Sequence, residues 1–204
     1  MPETFISHSA SHVQQWFRSD EKFNQLYPIP VQMLARRHWT PLTVARKAAD
    51  FLAAQNNVKI LDIGSGAGKF CLAAAWNKPN AFFFGIEQRK NMLIHAEAAR
   101  EVLGLQNVSF LHGNFTQLEL CNYDHFYFYN SFYENLAGTD KIDDQIDYSG
   151  ELYNYYNRYL FKQLDKTRAG TRLVTFHSLE DEVPPSFHVA DTDMNGLLKC
   201  WVKE

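Results

Sequence analysis

The chain has 204 residues, 46% of them apolar and 21% charged, with a formal net charge of −3. That is enough for one α/β domain with a proper core, too little for two, and it excludes a disordered or fibrous chain. No run of five like charges occurs, so bulk charge does not favour nucleic acid as a partner.

Cys71, Cys121 and Cys200 are far apart and show no C-x-x-C spacing. A zinc or other metal site and a disulfide framework are therefore not expected, and a reducing, cytoplasmic compartment is. The opening M-P-E-T-F-I-S-H-S lacks the basic and apolar regions of a signal peptide. No run approaches the ~18 apolar residues of a membrane span.

Residues 1–54 read as an N-terminal helical segment of the same domain that continues over 55–204. Val13, Trp16, Phe17, Phe23 and Leu26 form a helical stripe over 10–27, broken near Asp20 and closed by Pro28 and Pro30. A short helix is expected over 31–39, with Arg36 and Arg37 exposed. Thr40-Pro41 reads as a hydroxyl cap followed by proline at the first helical position, opening a helix over 42–54.

The most informative stretch is 58–68, V-K-I-L-D-I-G-S-G-A-G. A buried strand runs into glycines at every second position, Gly64, Gly66 and Gly68, and an alanine-rich helix follows from Phe70. Such a turn brings bare backbone up to a nucleotide-like ligand, because glycine accepts positive φ and carries no Cβ. Lys69 stands where a dinucleotide fingerprint needs its third glycine, and Asp62 would repel a pyrophosphate. An NAD oxidoreductase is thereby disfavoured. Asp62 suits a ligand with positive charge, an amine or a sulfonium.

The apolar run 81–86 is a second buried strand, ending at Glu87. Glu87 lies 19 residues beyond Gly68, near the ~20-residue offset at which a carboxylate meets ribose hydroxyls. A helix over 89–104 with Gly104 as its cap, a third strand over 107–111 and a fourth over 124–129 follow. The polar, acidic stretch 139–150 reads as a loop, and 151–164 as a helix with Leu152, Tyr155, Tyr156, Tyr159, Leu160 and Leu164 inward. A fifth strand over 172–176 ends at His177, which reads as either a general base or a rim residue. A hairpin of 187–190 with 197–202 closes the chain.

The stretch D-I-G-S-G-A-G resembles the first motif of class I S-adenosylmethionine-dependent methyltransferases. With F-G-I-E-Q, H-G-N-F, F-Y-N-S-F-Y and L-V-T-F-H-S, over residues 40–178, the series is similar to that of the Dot1-like, lysine-methylating branch. Two positions depart from that branch: its second Asn is Ser131, and its acidic adenine contact is Asn114. The basic nucleosome-binding extension is missing too.

The resemblance implies an α/β, Rossmann-like fold: a seven-stranded, mostly parallel sheet with a C-terminal antiparallel hairpin and helices on both faces. It implies S-adenosyl-L-methionine as cofactor and S-adenosyl-L-homocysteine as product. Asp62, Gly64, Ser65, Gly66 and Gly68 would hold the methionine part, Glu87 the ribose, and Asn114 and Phe115 the adenine, with Gln88 a further cofactor-binding residue. Asn130, at a strand tip, would face both cofactor and acceptor, with Ser131 and Tyr133 beside it as catalytic candidates. The N-terminal segment, with Thr40 as a weak cofactor candidate, is either a cover for the sheet or a lid. The expected reaction is methyl transfer to a nitrogen of a protein side chain or small amine. The alternative is a non-catalytic, cofactor-binding partner module.

Overall fold

The computed structural model describes residues 13–178 and 180–204. The signal-peptide reading and the first residues of the 10–27 stripe lie outside the described residues.

A 3₁₀ turn, Gln15–Phe17, leads into α1 (Asp20–Asn24), α2 (Ile29–Gln32), α3 (Ala35–His38) and α4 (Leu42–Leu52). The break near Asp20 is a helix start: the Ser19 hydroxyl accepts from the Lys22 amide at 3.2 Å. The single helix expected over 31–39 is divided between α2 and α3, although Met33 and Leu34 keep right-handed helical angles. Thr40 does not cap α4. Its hydroxyl pairs with the Tyr127 hydroxyl at 2.9 Å, and the Leu42 amide donates instead to Asp20 at 3.0 Å. A long-range carboxylate has taken the place of the local hydroxyl.

Beyond α4 the chain alternates as β1 (Lys59–Ile63), α5 (Lys69–Asn77), β2 (Phe82–Glu87), α6 (Lys90–Leu103), β3 (Val108–His112) and β4 (His125–Phe128). It closes with α7 (Gly150–Asp165), β5 (Arg172–Phe176), β6 (Phe187–Asp193) and β7 (Leu198–Lys203). Among the described residues these strands form one seven-stranded sheet in the order β3-β2-β1-β4-β5-β7-β6. β1 to β5 pair in parallel, and β7 enters antiparallel between β5 and β6. The fold class is the one expected from the sequence.

Successive residues of β4 point to opposite faces and so serve two cores. Tyr127 belongs to the cluster under α4, α5 and α6, while Phe126 and Phe128 join Tyr156, Leu160 and Leu164 of α7. On α7 the buried residues recur every fourth position, which leaves Tyr155 half-exposed rather than inward. Tyr153 takes the edge of that stripe, its hydroxyl donating to Glu182 at 2.8 Å.

The strand order reverses direction between β1 and β4, and a crevice opens beyond the carboxyl ends of the strands there. All the sequence-derived candidates lie at or near it.

Candidate functional site

The turn after β1 carries the predicted backbone. Gly64, Gly66 and Gly68 have φ of 78°, 53° and 81°. A Cβ on Gly64 would lie 2.5 Å from the Cβ and Oγ of Ser131, so the β4 loop packs directly on the turn. At Gly66 an added Cβ meets nothing within 4 Å; there the backbone faces open space.

That space is a cavity of about 490 Å³. Asp62, Gly64, Ser65 and Gly66 of the glycine turn, Glu87, Gln88 and Arg89 after β2, and Asn130, Ser131, Tyr133 and Glu134 after β4 all line it. Phe115 and Phe132, stacked with ring centroids 5.0 Å apart, form part of its apolar wall. Gly68 and Asn114 are not among the lining residues.

Glu87 is buried at the tip of β2 and already carries donors. Its Oε2 accepts from the Gly66 amide at 3.0 Å, and its Oε1 from the Arg89 amide at 2.9 Å and the Arg89 guanidinium at 3.3 Å. Asp62 is 3% exposed, and among the described residues the one hydrogen-bond partner of its side chain is the Cys71 thiol at 3.5 Å. Burial pushes its pKa up to about 8; the thiol works against this and Glu87 adds to it. A buried carboxylate so poorly compensated is a good counter-group for a cation.

The remaining candidates differ in how much of their capacity is free. The Asn114 side-chain oxygen accepts from Thr116 N at 3.0 Å and Oγ1 at 2.9 Å, and its amide donates to Gln88 at 3.0 Å and Tyr156 at 2.9 Å. It caps the Phe115–Gln117 turn and orients Gln88. The Ser131 hydroxyl donates to the Ile63 carbonyl at 2.6 Å and pins the β4 loop to β1. Asn130 stands in the left-handed region, φ 36°, at the cavity wall. Tyr133 is half-exposed at the mouth, and Asn130 and Tyr133 have no side-chain hydrogen bond among the described residues. His177 also lines the cavity from the tip of β5, with burial lowering its pKa.

Sequence reasoning passed over several lining residues. Trp39, together with Thr40, closes the cavity from the N-terminal side, and Tyr127, stacked on Phe70 at 3.7 Å, lies beneath them. The N-terminal segment grips the glycine turn as well: the Tyr27 hydroxyl donates to the Ala67 carbonyl at 2.9 Å, and Lys69 reaches Asp20 at 2.5 Å. The segment both packs into the core on one sheet face, through Phe23, Tyr27 and Val31, and lines the crevice through Trp39 and Thr40. Arg89 was missed entirely, since a buried arginine is recognisable only through partners distant in sequence.

Residues 54–148 match the family model described as a methyltransferase domain. The match covers a little under half of the chain, and over that stretch the chain resembles a methyltransferase domain. A stretch of 54 residues is 48% identical to the tRNA (guanine-N(7)-)-methyltransferase of Synechococcus sp., covering 26% of this chain and 23% of that protein. A stretch of 69 residues is 36% identical to the release factor glutamine methyltransferase of Buchnera aphidicola, covering 34% of this chain and 25% of the relative. The matched stretch thus spans about a quarter of the length of each of these curated relatives. Among solved structures, TrmN from Thermus thermophilus superposes with a TM-score of 0.61 at 18% identity, over 85% of this chain and 52% of that one. A point mutant of MtNAS in complex with S-adenosylmethionine gives 0.55 at 12% identity, over 96% and 71%.

The fold and the cofactor class that goes with it, S-adenosylmethionine, are those the sequence led us to expect. The open backbone at Gly66 and the under-compensated Asp62 carboxylate fit that cofactor. The Dot1-like likeness is one of short motifs, and these relatives are methyltransferases of other kinds. One expectation is overturned: nucleic acid was disfavoured as a partner on bulk charge, yet several curated relatives are named for tRNA. Net charge averages over the whole surface, whereas phosphate contacts need only a few local cations. As for compartment, no helix among the described residues is long and apolar enough to cross a membrane. No group of His, Cys, Asp or Glu among them could hold a metal ion.

Proposed function

We infer that the protein transfers a methyl group from S-adenosylmethionine to a nitrogen of an RNA base. The observation that carries methyl transfer is one cavity lined by both the Asp62–Gly66 turn and the Asn130–Glu134 tip. The acceptor class rests on the tRNA (guanine-N(7)-)-methyltransferase relatives, which makes guanine N7 the first atom to test. Asp62 and the bare Gly66 backbone would hold the methionine part, Glu87 the ribose, and Phe115 the base. When bound, the cofactor supplies an electrophilic methyl group.

This chain's part is binding, orientation and exclusion of water. An in-line displacement depends chiefly on placement, and a ring nitrogen with a free lone pair needs no proton removed. The Asn130 side chain is free to orient such an acceptor, and Phe132, Tyr129 and Tyr133 offer ring faces for an unstacked base. Exposed Arg36 and Arg37 beside the mouth are suitably charged for the flanking phosphates.

The test is incubation with methyl-tritiated S-adenosylmethionine and, in parallel, transfer RNA transcripts, cell-extract protein and small amines. Label made soluble by ribonuclease, and absent when guanosine N7 is replaced by carbon, is the expected outcome. Label released only by protease, or present in amines alone, would overturn the RNA reading. Tight cofactor binding without transfer to any acceptor would leave a non-catalytic partner module in its place.

A further inference from the structure

Arg89 is the most heavily engaged side chain at the cavity. It is 3% exposed and reaches three parts of the chain. Nη1 donates to Glu87 at 3.3 Å, Nη2 to Glu134 and to the Tyr148 hydroxyl at 2.7 Å each, and Nε to Asp143 at 3.1 Å. Glu87 ends β2, Glu134 follows β4, and Asp143 and Tyr148 belong to 139–149, a segment with neither helix nor strand. Burial works against the Arg89 charge, but Glu134 and Glu87 outweigh it and hold its pKa above the ordinary arginine value.

The 139–149 segment lies along the cavity, which Asp140 and Ile142 help to line. Its other ties run mostly to the turn after β4 and to the mouth. Asp140 pairs with Arg37, and Lys141 donates to the Glu134 carbonyl and to that of Leu136 at 3.0 Å. Thr139 donates to the Tyr133 and Leu136 carbonyls at 3.2 and 2.8 Å, and Ile142 packs on the core. Asn91 reaches Asp143 at 3.4 Å.

We propose that Arg89 is a positioning residue that locks 139–149 as a strap over the cavity, and that the lock tightens when Glu87 is occupied. This rests on the S-adenosylmethionine reading of the site. Each oxygen of an ionised carboxylate takes about two donors. Oε1 of Glu87 already has two, the Arg89 amide and Nη1. For ribose hydroxyls to engage both oxygens, Nη1 must leave Oε1, and its contact is the longest of the four that Arg89 makes. Released from β2, the guanidinium has Glu134, Asp143 and Tyr148 as its partners. Filling the cofactor end therefore strengthens the hold on the strap that covers it.

The double variant Asp143→Asn with Tyr148→Phe weakens the lock and keeps the Arg89–Glu87 pair, so loss of folding does not confound it. Hydrogen exchange is measured over 139–149 with and without S-adenosylhomocysteine. In ligand-free protein the variant strap is expected to exchange about tenfold faster than the parent's. Ligand should slow the parent strap by a further factor of about ten and leave the variant's nearly unchanged. The variant's Kd for S-adenosylhomocysteine should rise by a similar factor, with kcat at saturating cofactor less affected. Arg89→Lys in the parent should lose both exchange protection and affinity, since an ammonium cannot reproduce the planar fork. Equal exchange in ligand-free parent and variant overturns the lock. A ligand-bound parent whose strap exchanges as in the free protein overturns the coupling. Failure of the ligand to bind the parent at all would remove the cofactor reading and the coupling together.

Discussion

Asp62→Asn changes one atom at the most unfavourably placed carboxylate of the cavity and should make the protein more stable at neutral pH. The Asp62 pKa stands at about 8, against an ordinary 3.8. Between those values the folded chain keeps a proton that the unfolded chain has released. The favourable contribution of neutral Asp62 is fully present below about pH 4 and is lost as pH rises to about 8. The slope is about 1.4 kcal/mol per pH unit, so at pH 7 the accumulated cost is about 4 kcal/mol as an upper bound, less whatever water in the cavity recovers. Asparagine is never charged, and its oxygen can still accept from the Cys71 thiol. Urea unfolding of parent and variant at pH 5, 6, 7 and 8 measures the difference, and other carboxylates cancel because both proteins share them. The variant's advantage should grow steadily with pH. A difference that stays constant from pH 5 to 8 would refute a neutral, buried Asp62. The same substitution should weaken S-adenosylmethionine binding, because a cation beside Asp62 favours the ionised form. Cofactor binding to the parent should then release a proton and tighten as pH rises toward 8, whereas binding to the variant should be flat.

Gly64→Ala should destabilise by about 1–3 kcal/mol in thermal unfolding, since it combines a φ of 78° with a Cβ 2.5 Å from Ser131. Gly66→Ala carries a similar φ cost without the clash, and comparing the two isolates the packing of the β4 loop. Glu87→Gln should raise the calorimetric Kd for S-adenosylhomocysteine by about tenfold or more, through loss of charge-assisted bonds, and unchanged affinity would remove the ribose assignment. Asn130→Ala should lower kcat by one to two orders of magnitude with little effect on cofactor Kd, roughly the range for lost positioning. A matching rise in Kd would instead place Asn130 with the cofactor.

The sheet was legible because its signals are local. The parallel strands β1 to β5 are short, largely apolar runs, and the positive-φ glycines and the Glu87 offset follow from chain geometry alone. By contrast β6, Phe187–Asp193, is polar and exposed and extends beyond the expected 187–190. What was not legible is which polar side chains remain free after folding. Asn114, Ser131 and Thr40 look equally available in the sequence, yet Thr40 is spent on Tyr127, Asn114 on a turn and on Gln88, and Ser131 on the Ile63 carbonyl. Arg89 errs the other way, reading only as the start of a helix and folding into a buried junction of three carboxylates.

The acceptor question follows the same logic at the scale of the whole surface. A net charge of −3 is an average in which buried and paired groups count as much as free ones. At the cavity Glu87 and Glu134 are tied to Arg89, and Asp140 to Arg37. Paired carboxylates repel a phosphate far less than isolated ones, because the pair's field falls off within a few ångströms. A slightly acidic chain can therefore offer a nucleic acid a locally neutral entrance, provided the pairs hold. Neutralising Asp140 alone should strengthen RNA binding only to the extent that it frees Arg37, and the gain should shrink with added salt.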